Sequence, residues 1–200
     1  TELDNAVGET LFATRFDGPR GYIVTYLTKD PLFVLDFSDP SKPAVAGELV
    51  VPGWSTHIEP RGDYLIALGV DDTAGRRVSV SMYDVSDPET PSMIGERATF
   101  GDDWSWSSAY SDVKAFTILD DVLIVPFSGW TNDFGGYDRL QFISYSPDGL
   151  TVRGYVAVDG QVMRSFEYEN RYYGVATEQL ATINGTDLDN PAVIHRLTLA

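Results

Sequence analysis

The feature that most limits what this chain can become is that it repeats itself. Gly21–Gly53 reads GYIVTYLTKDPLFVLDFSDPSKPAVAGELVVPG, and Asp63–Gly101 reads DYLIALGVDDTAGRRVSVSMYDVSDPETPSMIGERATFG. Both run apolar strand, loop, apolar strand, Ser-Asp-Pro turn, last strand. Asp39-Pro40 matches Asp87-Pro88, and Lys42-Pro43 matches Thr90-Pro91. A weaker third copy runs from Asp121, with Ser146-Pro147-Asp148-Gly149 in place of the turn. A fourth starts at Arg171 and includes LATINGTDLDNPAVIHRLTL. Pro40, Pro88 and Pro147 lie 48 and 59 positions apart. Periods of roughly 40–50 residues built from short strands indicate propeller blades rather than helical solenoids.

Each copy is preceded by one more apolar segment: Leu11–Phe16, Ser55–Pro60, Asp112–Leu119 and Val162–Tyr168. Val, Ile, Tyr and Phe dominate these segments, and Asp, Gly, Pro and Asn punctuate them, which is strand and turn chemistry. No stretch holds helical period without Gly or Pro. The expected fold is therefore all-β: one β-propeller domain over residues 1–200, about four four-stranded antiparallel blades near 11–53, 54–101, 111–160 and 161–200,. Such a set could belong to a larger propeller. In the Ser-Asp-Pro turns, proline stops the ladder and Asp or Ser holds the bend, so these acids need no functional role.

Composition narrows function by exclusion. The net charge of −16 over 200 residues repels phosphate backbones and anionic lipid, so nucleic acid is not an expected partner,. The absence of cysteine excludes disulfides, thiolate metal sites and a cysteine nucleophile,. No apolar run approaches the ~20 residues that span a membrane. Thr1–Thr10 lacks the parts of a signal peptide, so any export signal is expected upstream or already removed,.

The segments PLFVLDFSDPSKPAVAGELVVPGWST, SVSMYDVSDPETP and WSWSSAYSDVKAF resemble the secreted bacterial β-propeller domain family distantly related to WD repeats. The resemblance is best over Leu11–Phe127. It implies a secreted, periplasmic or cell-surface location, no established activity, and family domains that extend further towards the N-terminus. Val113 stands where members carry a histidine, so no role of that histidine transfers.

In a propeller, strand a is nearest the axis and loops alternate between two faces. The loop reading puts Trp54, Trp104, Trp106 and Trp130 on one face, with Asp71, Asp72, Asp102, Asp103 and Asp133. Trp130 falls in the longest loop, SGWTNDFGGYD. Indoles beside acids can stack on sugars, hold cations or take a peptide. They can also simply plug the gaps between blades, the more common fate of tryptophan. Calcium is the one cofactor these acids could take, through Thr131–Asp138 or Asp71–Gly75, although neither matches a calcium motif.

Catalysis has little support, since no nucleophile elbow, zincin, P-loop or dinucleotide motif is present. His57 and Glu59 share a face of an inner strand and could be ligands, a base with its orienter, or channel lining. His195 falls on an outer strand. The sequence thus reads as a secreted, non-enzymatic binding or scaffold module that engages protein, peptide or glycan through its Trp-rich face, or the remaining blades of a parent propeller. The alternative is a metal-dependent hydrolase on the axis, using His57, Glu59 and Asp112.

Overall fold

The computed structural model describes residues 10–26, 30–51, 53–131 and 135–199. Among these residues lie four antiparallel sheets, each built on four strands paired in chain order, two of them carrying a fifth short strand. The first is β1 (Thr10–Asp17), β2 (Arg20–Tyr26), β3 (Asp30–Asp36) and β4 (Ala44–Val51). The second is β5 (Trp54–Arg61), β6 (Tyr64–Asp71), β7 (Arg77–Asp84) and β8 (Ser92–Met93). After β9 (Ala98–Phe100), which lies beside β7, the third is β10 (Ser105–Trp106), β12 (Val122–Thr131), β13 (Gly135–Ser146) and β14 (Gly149–Val158). The short β11 (Thr117–Ile118) also pairs with β12. The fourth is β15 (Val162–Tyr168), β16 (Arg171–Ala176), β17 (Gln179–Asn184) and β18 (Ala192–Thr198). This is the all-β propeller architecture of about four blades that the repeat implied.

The chain forms two compact units, residues 1–75 with 79–97, and residues 76–78 with 98–200. In the first, Tyr22, Val24, Leu32 and Val34 bury their side chains with Ile58, Leu65, Ala67 and Tyr83. In the second, Ile124, Leu140, Phe142 and Val156 do so with Val162, Ala176, Ala181 and Ile183. A single sheet cannot keep both faces dry, so pairs of sheets share a core.

The repeated turns are built from one pattern of side-chain acceptors. Asp36 Oδ1 accepts from the Ser38 amide (2.8 Å) and hydroxyl (2.6 Å), and Asp39 Oδ1 accepts from the Ser41 amide (3.0 Å). Asp84 and Asp87 do the same with the amides of Ser86 (2.8 Å) and Glu89 (3.0 Å). Asn184 and Asp187 do so with the amides of Thr186 and Asp189, both at 3.0 Å. The bonds from Ser38 to Asp36, from Ser86 to Asp84 and from Asn190 to Asp187 hold those three carboxyls below the usual carboxylate range. The acids are thus fixed as turn acceptors.

These turns also join sheets. A Cβ on Gly47 of β4 would lie 2.3 Å from the Pro88 carbonyl, and one on Gly154 of β14 would lie 2.5 Å from the Asp189 carbonyl. In both units an outer-strand glycine therefore seats the acceptor-held turn of the following sheet. The Gly154 amide donates to Leu188 O across this contact (2.8 Å). Gly47 stands opposite Val34, just before a bulge. The same register position in the fourth sheet, opposite Thr182 and before the matching bulge, holds the exposed His195.

The inner strands carry a second shared irregularity. Their register shifts between Leu11 and Ala13, between Ser55 and His57, and between Val162 and Arg164. In the third sheet this step is expanded. Asp112–Leu119, expected as an inner strand, instead contains a 3-10 turn at Val113–Ala115 and only the two-residue β11. The sheet's first strand is β10, ahead of the expected start at 111. Side-chain acceptors explain the change: Ser107 Oγ accepts from the Ala109 amide (3.2 Å) and Asp112 Oδ1 from the Lys114 amide (3.2 Å). Both offer the backbone a local alternative to the ladder. Ser107 donates to Pro126 O (2.6 Å) and Ser108 to Val162 O (2.7 Å), which ties the insertion to β12 and β15.

Replacing either seat glycine should force the sheets apart. Gly47→Val and Gly154→Val are each expected to lower stability by about 2 kcal/mol or more, as overpacking against rigid backbone does. Urea unfolding checks this, and wild-type midpoints in both variants would refute the seating role.

Candidate functional site

The second unit presents an open cleft of about 680 Å³ lined by Arg77, Gly101, Asp102, Asp103, Trp104, Trp130 and Thr131. Trp104 and Trp130 are 52% and 63% exposed, unusual for so large an apolar surface,. The sequence predicted Trp104, Trp130, Asp102 and Asp103 for one surface, and the fold gathers all four here.

Trp130 is carried by a strand, where the sequence suggested a long loop. β12 and β13 pair as far as Trp130 opposite Gly136 and Thr131 opposite Gly135. On the other side, β13 pairs with β14 only as far as Asp138. The tip is therefore a two-stranded overhang. A Cβ on Gly136 would sit 3.5 Å from the Trp130 ring and one on Gly135 would sit 3.7 Å from it. The six-membered ring of the indole borders these glycines, and the side chain as a whole stays 63% exposed. Tyr137 covers Gly129: a Cβ there would be 2.2 Å from the tyrosine oxygen. Aromatic rings over cross-strand glycines stabilise a bare strand pair.

The Trp104 side of the cleft is fixed by main-chain bonds. Arg76 N donates to Asp103 O (2.8 Å) and Ser105 N to Arg76 O (2.9 Å). Ser105 Oγ, buried, accepts from the Val78 amide (2.9 Å). Gly101 begins this turn at φ 89°, where a side chain would strain the backbone and strike Ser105,. The Asp102 amide donates to the Tyr137 hydroxyl (3.3 Å), joining the turn to the hairpin. Burial first, and then Asp102, push the Tyr137 hydroxyl pKa up, so it stays protonated. Its ring packs edge-on to Phe127 (5.8 Å) and beneath the Arg139 guanidinium (3.8 Å).

The other sequence candidates lie elsewhere. Trp54 opens β5 and is half-buried, and Trp106 lies in β10, edge-to-face on Tyr110 at 6.3 Å. Neither lines the cleft, and both are strand residues where loops were expected. Asp133 lies outside the described residues, as do Asn132 and Phe134. Asp71, at the end of β6, accepts from the amide (3.0 Å) and hydroxyl (2.6 Å) of Thr73, a turn role. Arg77 was not foreseen, and Thr131 and the underlying Tyr137 were named only within the Thr131–Asp138 stretch weighed for calcium. Arg77 follows a turn and opens a strand, and nothing in its spacing marks a ligand contact.

His57 lies in the inner strand β5, as expected, in the first unit. Its Nε2 is 3.7 Å from Glu59 Oε2, but Arg15 Nε holds that same oxygen at 3.1 Å. Burial foremost, then the Arg15 charge, lower the His57 pKa to about 4 against a weaker pull from Glu59. The imidazole is therefore neutral near pH 7. Asp112, in the second unit, accepts from Arg164 at 2.7 Å. That bond foremost lowers its pKa. Among the described residues, no three His, Asp or Glu side chains are grouped as metal ligands would be,.

The depressed His57 pKa makes stability pH-dependent. Between about pH 6.5 and 4 the unfolded chain binds a proton that the folded chain refuses, so stability falls as pH falls through that window,. The full effect is roughly 3 kcal/mol. His57→Gln should flatten this part of a urea-stability profile, and an unchanged slope would contradict the assignment.

Comparison with known proteins agrees with the architecture. The β-propeller domain family model matches residues 2–188. An uncharacterized protein of Methanocaldococcus jannaschii is 40% identical over 110 residues, 54% of this chain and 17% of the relative. An uncharacterized protein of Archaeoglobus fulgidus is 34% identical over 176 residues, 86% of this chain and 26% of the relative. The chain thus spans about a sixth and a quarter of these relatives, and both are archaeal where the sequence resemblance pointed to bacteria. With four blade-like sheets and a family match over nearly its whole length, the chain belongs to the β-propeller domain family.

Proposed function

We propose that this domain works by binding, not catalysis, and that the Trp104–Trp130 cleft is its ligand surface. One observation carries the reading: two indoles, 52% and 63% exposed, line one cleft with Asp102, Asp103, Arg77 and Thr131. Exposed aromatics on rigid supports supply contact area at little ordering cost. Side chains that only plugged gaps would be buried. A protein, peptide or glycan at the cell surface or outside the cell is the corresponding partner. The acidic surface and the family resemblance support that location, and fractionation of the source cells tests it.

The test is to screen the wild-type domain against a displayed-peptide library and a glycan array, then re-measure the hits with Trp104→Ala and Trp130→Ala. Each variant should bind at least about tenfold more weakly, the usual scale for a lost aromatic anchor. Trp104→Ala should keep the wild-type unfolding midpoint because its ring is largely exposed, whereas Trp130→Ala also removes the ring beside Gly135 and Gly136 and is therefore read against Trp130→Phe, which keeps an aromatic ring there,. Hits retained in full by both variants would eliminate the cleft.

A further inference from the structure

The cleft's chemistry narrows the ligand beyond the reading above, on which this inference rests. Trp130 leaves most of its indole to solvent, 63% exposed, with the six-membered ring bordering Gly135 and Gly136. A ligand must therefore bring a flat apolar surface of its own. Around the two rings, the carboxylates of Asp102 and Asp103 accept hydrogen bonds only, whereas the Arg77 guanidinium donates only and Thr131 Oγ1 does both,. The matching ligand needs hydroxyl-like groups, which donate and accept, around an apolar face. A pyranose ring has this form: C–H bonds on one face and hydroxyls at the edge.

The same groups weigh against the alternatives. A cationic ligand is best held by rings and acids that surround it, whereas this cleft is open and contains a guanidinium,. An anionic ligand would meet Asp102 and Asp103 on a chain of net charge −16,. We infer that the Trp104–Trp130 cleft binds a neutral oligosaccharide, with the sugar stacked on Trp130 and its hydroxyls shared between Asp102, Asp103, Arg77 and Thr131.

Cellohexaose, chitohexaose, mannohexaose and maltohexaose are the probes, titrated into the domain by calorimetry and tryptophan fluorescence. Polygalacturonate serves as the anionic comparison. At least one neutral hexasaccharide should saturate the domain below about 5 mM, with a shift in tryptophan emission. Trp130→Ala and Trp104→Ala should each weaken that binding at least about tenfold, Trp130→Phe less so, and Tyr168→Ser, outside the cleft lining, not at all. If no neutral hexasaccharide binds, or only polygalacturonate does, the sugar assignment falls. If displayed peptides still bind in a Trp104- and Trp130-dependent way, the cleft survives as a binding surface with a different ligand. If sugar binding persists unchanged in both alanine variants, the cleft reading falls as well.

Discussion

A glycine on an outer strand, pressed beneath the acceptor-held turn of the next sheet, is the contact on which sheet stacking turns. It occurs in both units, at Gly47 and at Gly154, with backbone atoms of the turn where a side chain would stand. Such a contact is short-range and tolerates no added volume. It works only if the turn is itself rigid. Asp36, Asp84 and Asn184, with Asp39, Asp87 and Asp187, provide that rigidity by taking up amides the ladder leaves open. The repeat in the sequence is therefore a repeat of joints as well as of strands. With His195 at the matching position, the fourth sheet lacks this seat.

The cleft depends on the places where the third sheet departs from the common plan. Its inner strand is interrupted by two short turns, and its β12–β13 hairpin runs past the end of β14. The overhang carries Trp130 clear of the sheet, while Tyr137 on the opposite strand reaches back to the Asp102 turn. Irregular structure placed on a regular scaffold is where binding surfaces usually occur. The acids here differ from the acids of the repeated turns. Asp36, Asp84 and Asp187 hold the turns in which they sit, whereas Asp102 and Asp103 line the cleft, where Asp102 also meets the Tyr137 hydroxyl.

Strand order and turn positions were legible because alternating apolar residues and Asp-Pro punctuation leave a periodic mark. The same mark brought Trp104, Trp130, Asp102 and Asp103 together on a candidate surface. The Asp112–Leu119 segment misled because Val, Phe, Ile and Leu look like a strand, while the deciding bonds come from Ser107 and Asp112 at its edge. Trp130 read as a loop residue because Gly135 and Gly136 ordinarily end a strand. Here the indole borders the glycines and the pairing continues. Arg77 could not be found from sequence at all, since its place in the cleft follows from the bonds between Arg76 and the Asp103–Ser105 backbone.

The cross-strand glycines beside Trp130 let strand pairing carry the ring to the end of the hairpin's described stem. Pairing fixes the indole at Gly136, one pair before the strands end at Thr131 and Gly135. The position of the ring is thus set by the paired stem rather than by a loop. A ring placed by register moves only if the two strands slip past each other, and a slip of one residue would turn it to the other side of the sheet.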